Sequence, residues 1–209
     1  MAEDGAWAWI DAERQALADD LAGLDDARWS TPSLCAGLSV REVLAHLTVS
    51  GAVSRARWLV GVLRARFDFD RQVDDRLREQ LGETPAVTLA RFRATIGSRV
   101  SPPLPRLALL GEVVVHGEDI RRPLGIARAH PPEVLAALLR YYAGTDLVVV
   151  AKRRVRGLRL EAADVDVAIG EGDVVRGSAL ALIMAMTGRA ALLPELDGPG
   201  LPLLAARSA

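Results

Sequence analysis

One cysteine, one lysine and three histidines are all that this 209-residue chain has of three residue types that commonly carry chemistry. A single cysteine, Cys35, excludes an intramolecular disulfide and every zinc motif built on paired thiolates, so a metal here is expected to be held by histidine and carboxylate. Charge of one sign is also missing: 26 basic residues face 27 acidic ones for a net charge of -1, which is neither the basic footprint of a nucleic-acid binder nor the composition of an acidic disordered tail. No apolar run approaches the ~20 residues needed to cross a bilayer. The start, Met1-Ala-Glu-Asp-Gly5, is acidic where a secretory signal is basic, and the chain is read as cytoplasmic. There is no internal repeat, no obvious Ser or Cys triad and no dinucleotide fingerprint: the Gly170-Glu-Gly172 turn lacks the strand-loop-helix setting. The basic run Lys152-Arg-Arg154 with Arg156 has no interleaved aromatics and reads as a solvated edge.

Half of the residues are hydrophobic, enough for a substantial core, and their spacing is helical over the first 125 or so positions. Ile10, Leu17, Leu21 and Leu24 give one helix over Glu3 to Leu24, and Trp29 with Thr31-Pro32-Ser33 marks an ordered loop after it. Ser39-Val-Arg-Glu42 is a capping box that opens a second helix, expected to run to about Arg66 with Val43, His46, Ser50 and Val53 on one face. Beyond a charged segment, Asp68 to Glu79, Thr84-Pro85 starts a third helix with Leu89, Phe92 and Ile96 inward. Ser101-Pro-Pro-Leu-Pro105 leads into a fourth whose inward stripe is Leu109, Glu112, Val113, His116 and Ile120, ended by Pro123 and Gly125.

Two of the three histidines therefore lie on inward helix faces. Glu112 and His116 are four apart and project from one face a turn apart. His46 from the second helix completes a set of two imidazoles and a carboxylate, which on a divalent metal leaves one coordination position open. The bland reading is a hydrogen-bonded core histidine beside an intrahelical pair. Asp119, one turn beyond His116, serves either as a partner of that imidazole or as an alternative metal ligand, or else it caps the helix or pairs with Arg122. Cys35, flanked by Leu34 and Ala36, has no sequence neighbour to lower its pKa and reads as a packed cysteine. His130, ahead of Pro131, is expected in an exposed loop. Arg121-Arg122 reads as a helix terminus complementing the dipole.

The pattern changes near residues 125–132. After a short helix from Glu133 to Tyr142, strands are expected at Leu147 to Val150, Gly157 to Glu161, Val165 to Ile169 and Val174-Val175, then an apolar helix from Ser178 to Thr187. The expected organisation is α+β: a helical bundle over residues 1–127 and a small α/β domain over 128–209.

The segment Trp29 to His46, WSTPSLCAGLSVREVLAH, resembles the entry to the metal-bearing second helix in the mycothiol-dependent maleylpyruvate isomerase family, of the DinB-like four-helix-bundle superfamily. Glu112 to Gly125, Gly157 to Asp164 and Gly177 to Arg189 agree with three further blocks in order. The resemblance implies a divalent metal, zinc by preference, on His46, Glu112 and His116. It implies mycothiol, the small thiol of many high-GC Gram-positive bacteria, as cosubstrate, and a carboxy-terminal arginine matching Arg189 that faces the metal pocket. One departure stands out: where many relatives read Asp-x-Asp-Trp, this chain has Asp164-Val-Asp-Val167, which removes an indole from the small domain.

Mycothiol as the source of the attacking sulfur accounts for a chain without its own nucleophile triad. Addition of thiolate to a cis-enedione acid gives a rotatable single bond, and elimination returns the trans isomer. Transfer of the thiol to a small electrophile uses the same parts, with Arg189 pairing a substrate carboxylate. A noncatalytic metal- or ligand-binding regulatory bundle and a metal-dependent hydrolase are the competing readings.

Overall fold

The structure, a computed structural model, describes residues 3–54, 60 and 69–208, and the chain divides into two compact units, Met1–Ala127 and Arg128–Ala209. In the first, α1 (Glu3–Asp20) is followed by a 3-10 turn (Asp26–Ser30), α2 (Val40–Ala52), α3 (Phe69–Gln80), α4 (Pro85–Arg93) and α5 (Arg106–Arg121). Helix α5 lies against α1 and α2, and α2 also packs on α3 and α4, so α2 and α5 share the middle of a helical bundle. Ile10, Leu17, Val43, Leu44, Leu47, Phe92, Leu109, Val113 and Ile120 fill its core and are almost wholly shielded from solvent.

Local chemistry sets the helix starts. Ser39 accepts from the Glu42 amide while the Glu42 carboxylate accepts from the Ser39 amide at 2.8 Å, closing the capping box of α2. The Ser39 side-chain hydrogen bond, then its backbone one, holds the Glu42 carboxyl below its ordinary value. Thr84 caps α4 with Pro85 in its first turn.

Helix α2 ends earlier than its periodicity suggests: Val53 is extended at φ -101°, ψ 114°, and residues 55–59 and 61–66 of the expected helix lie outside the described ones. The charged stretch after it is helical as α3, with Arg76 bound to Glu79 at 2.7 Å one turn on and Leu77 as its buried contact.

The second unit carries α6 (Pro132–Gly144), β1 (Leu158–Ala162), β2 (Ala168–Ile169), β3 (Asp173–Gly177), α7 (Ala179–Met186), a 3-10 segment (Ala190–Glu195) and α8 (Leu201–Ala206). The sheet order is β2-β1-β3, with β1 antiparallel to β2 and parallel to β3, Leu160 pairing Ile169 on one side and Val175 on the other. The apolar helix α7, capped by Ser178, is buried at every residue but Leu180 and packs against α6 and the sheet.

Four sequence expectations differ from the structure. Leu147 to Val150 forms no strand: Leu147, Val148 and Val150 are exposed, and the segment bends around Asp146, whose carboxylate accepts from the Arg153 amide and pairs its guanidinium. The strand from Val165 shrinks to Ala168–Ile169 because Asp164 is diverted to accept from the Ala179 amide at 2.7 Å at the start of α7. His130 is buried, at 8% exposure, immediately before α6. The basic run also divides: Arg154 turns inward to donate to the Met186 carbonyl at the end of α7 at 2.7 Å, so it is no solvated edge. Among the described residues no helix is long and apolar enough to cross a membrane.

Candidate metal centre

Helices α2 and α5 bring His46, Glu112 and His116 together. His46 Nε2 lies 3.4 Å from Glu112 Oε1, and each side chain keeps 22% exposure. The two imidazoles meet edge to face with centroids 4.9 Å apart. A tetrahedral zinc with bonds of about 2.0–2.3 Å sets its donor atoms roughly 3.3–3.7 Å apart, and the His46–Glu112 separation falls in that range. Burial raises the Glu112 pKa, but the His46 hydrogen bond, the charges of His46 and His116, and Arg14 outweigh it and hold the carboxyl below its ordinary value. An anionic carboxylate between two imidazoles fits a divalent cation.

His116 is anchored from its other side. Its Nδ1 is 2.9 Å from Oδ2 of Asp119, one turn further along α5 and fully buried. That contact orients the ring and turns Nε2 away from Asp119. Asp119 is thus the partner of His116, while Arg122 pairs with Glu118 at 3.2 Å.

Two further residues belong to this neighbourhood: Cys35, which reads as merely packed from its sequence neighbours, and Arg14, which the sequence reading passes over. Cys35 lies against α5: the ligand atoms of Cys35, His116 and Asp119 are all within 4.8 Å of one another, the one such group of three His, Cys, Asp or Glu residues among those described. Its sequence neighbours supply no charge, and its spatial neighbours do. The other is Arg14, fully buried on α1, whose Nη1 donates to the Thr95 carbonyl at 2.8 Å. Its Nε and Nη2 are buried without a hydrogen-bond partner. Burial lowers its pKa, against which the charges of Asp11 and Glu112 act. A Cβ on Gly51 would come within 3.0 Å of Arg14 Nη2, so the glycine of α2 makes room for the guanidinium. The signal was in the sequence: Arg14 occupies a slot of the stripe Ile10, Leu17, Leu21, where an arginine stands out.

In the second unit, Arg189 follows α7, half-buried, and donates to the Thr187 carbonyl at 2.9 Å. Arg154 is its electrostatic neighbour; burial first, then the charge of Arg189, lowers the Arg154 pKa. Val167, at the position of the missing indole, is buried.

Residues 10–102 match the family model described as the mycothiol maleylpyruvate isomerase N-terminal domain, a span that holds His46 and ends before Glu112 and His116. No curated protein matches the sequence. Two solved structures are similar. A crystal structure of a histidine-to-alanine mutant of mycothiol-dependent maleylpyruvate isomerase matches with a TM-score of 0.60 at 14% identity, covering 95% of this chain and 93% of that one. A crystal structure of the mycothiol-dependent maleylpyruvate isomerase matches with a TM-score of 0.54 at 12% identity and the same coverage. Both extend through the second unit, so a helical bundle followed by a small α/β domain is the shared fold. Over residues 10–102 the chain is similar to the mycothiol maleylpyruvate isomerase N-terminal domain family.

Proposed function

We propose that this chain is a cytoplasmic, metal-dependent enzyme that uses mycothiol as cosubstrate on a small unsaturated carboxylate of the maleylpyruvate type, by cis-trans isomerisation or by S-transfer. The observation that carries this is the approach of His46 on α2 to both Glu112 and His116 on α5, in a chain whose residues 10–102 match a family model named for that chemistry. His46 Nε2, the Glu112 carboxylate and His116 Nε2 would hold the cation. A divalent metal such as zinc, when bound, lowers a thiol from its ordinary pKa of roughly 8.5 so that thiolate is present at neutral pH. The chain supplies the rest: Glu112 contributes the negative charge, Asp119 fixes the His116 ring, and Arg14 places a buried positive charge on the α1 side of Glu112.

Purified protein loaded with zinc is expected to convert maleylpyruvate only when mycothiol is added. Equal turnover without thiol would identify a hydrolase. No turnover of maleylpyruvate or of a panel of small electrophiles, with metal and thiol both bound, would identify a noncatalytic binding bundle.

Arg189 is assigned to the substrate carboxylate. Its planar guanidinium suits a bidentate carboxylate contact, and the adjacent Arg154 reinforces the positive field. Arg189→Ala is expected to lower kcat/KM for a carboxylate substrate by at least tenfold, to leave a neutral electrophile within about twofold, and to leave metal content unchanged; a charge-assisted hydrogen bond of about 1.5–3 kcal/mol corresponds to a loss of that order. Equal small effects on both substrates would reduce Arg189 to a structural residue.

A further inference from the structure

We propose that Cys35, His116 and Asp119 form a second coordination set, for a thiophilic divalent cation of the zinc class, sharing His116 with the His46–Glu112 set. The donors are a sulfur, an imidazole nitrogen and a carboxylate oxygen, the three ligand types zinc takes, and their mutual separations of at most 4.8 Å are within about 1 Å of the spacing around a tetrahedral ion. The thiolate makes the set selective: sulfur favours zinc and its soft congeners over magnesium or calcium.

The arrangement is built by the fold. The Leu34 amide donates to the Asp119 carbonyl at 3.1 Å, tying the segment before α2 to the very turn of α5 that carries Asp119. Ser33 Oγ accepts from the Cys35 amide at 3.1 Å and donates to the Leu38 carbonyl at 2.7 Å, while the Leu38 amide closes on the Cys35 carbonyl. Gly37, at φ +81°, occupies the third position of that turn, where a left-handed residue is required. Cys35 is thereby fixed beside α5 before any ion arrives, which reduces the ordering cost of binding.

The same three residue types also occur as a thiol-imidazole-carboxylate relay, and the geometry separates the two cases. In a relay the imidazole stands between the other two groups and holds them at opposite ends of the ring. Here the sulfur and the carboxylate are themselves within 4.8 Å, a triangle that surrounds a point. A cation at that point replaces the proton shared by His116 Nδ1 and Asp119 and takes the thiol as thiolate, so its binding releases protons. His116 Nε2 stays available to the other set. The inference does not rest on the reaction proposed above, since it invokes neither mycothiol nor a substrate.

Cobalt(II) titration of the metal-free protein tests it, because a cobalt-thiolate bond absorbs in the near ultraviolet and Cys35 is the one cysteine of the chain. The wild type is expected to show this absorption, and the double variant His46→Ala, Glu112→Gln is expected to keep it. Cys35→Ser is expected to lose it, and Asp119→Asn to raise the apparent Kd by on the order of 10–100-fold. A wild type saturated with cobalt and lacking the absorption overturns the proposal, without recourse to any variant that fails to fold. Loss of the absorption in the double variant also overturns it, by making Cys35 a further ligand of the His46–Glu112 set. Neither result bears on whether the enzyme uses mycothiol.

Discussion

His116→Ala is expected to strip the protein of divalent metal, with a loss of affinity well beyond 100-fold, whereas His46→Ala and Glu112→Ala each weaken binding but leave a residual site. The asymmetry follows from position. His46 and Glu112 face each other across 3.4 Å and would serve one set, while His116 neighbours both His46 and the Cys35–Asp119 side. Substitution of a residue that merely orients a ligand costs about 10–100-fold in metal affinity, so removal of a ligand common to both sets exceeds that range. Elemental analysis after dialysis, with circular dichroism to verify the fold, decides the matter. Wild-type metal content in all three variants would remove the ligand assignment altogether. A loss for His46→Ala and Glu112→Ala as complete as for His116→Ala would leave the assignment standing and argue against shared use of His116.

What could be read in advance depended on how local the determining chemistry was. Ser39 with Glu42, Thr84 with Pro85, and Ser178 mark helix starts through hydrogen bonds that span three residues, and each start is found within a residue of its sequence mark. The bundle followed by a small mixed domain was legible for the same reason, since the apolar period changes along the chain. The 3.6-residue period also put Glu112 and His116 on one face of α5 and His46 on an inward face of α2.

Contacts made across the fold were not legible. From its uncharged sequence neighbours Leu34 and Ala36, Cys35 reads as a packed thiol; its charged neighbours come from α5, brought there by the Leu34–Asp119 backbone bond. Leu147 to Val150 has strand composition, but a strand needs a partner edge, and this segment pairs with none of the three strands β2-β1-β3. Arg121 looked like a helix-terminal cation, yet it is wholly buried among carboxylates drawn from α1 and from its own helix.

That burial makes Arg121→Met the most damaging single substitution expected in the first unit away from the metal centre. Arg121 Nε donates to Asp20 Oδ2 at 2.7 Å, and its Nη1 lies 3.9 Å from Glu13 Oε2 and 4.0 Å from Glu118 Oε1. Glu13 and Glu118 are themselves almost inaccessible to water, at 1% and 3% exposure. Methionine fills most of the volume but supplies no positive charge, leaving carboxylates at the α1–α5 contact without their central counter-ion. Breaking a buried ion pair from one side costs about 3–5 kcal/mol, the larger part being the charge left behind. Gly117 on the preceding turn shows how closely the group is packed, because a Cβ there would come within 2.9 Å of Arg121 Nη1. All four tryptophans lie within residues 1–127, so their fluorescence during urea unfolding follows the first unit. The expected result is a fall in the midpoint equivalent to about 3–5 kcal/mol for Arg121→Met, with a smaller fall for Arg121→Lys, which keeps the charge and forfeits the Nε geometry. A loss below about 1 kcal/mol for the methionine variant would mean that the carboxylates are satisfied without Arg121, and that the α1–α5 contact is held by its apolar residues alone.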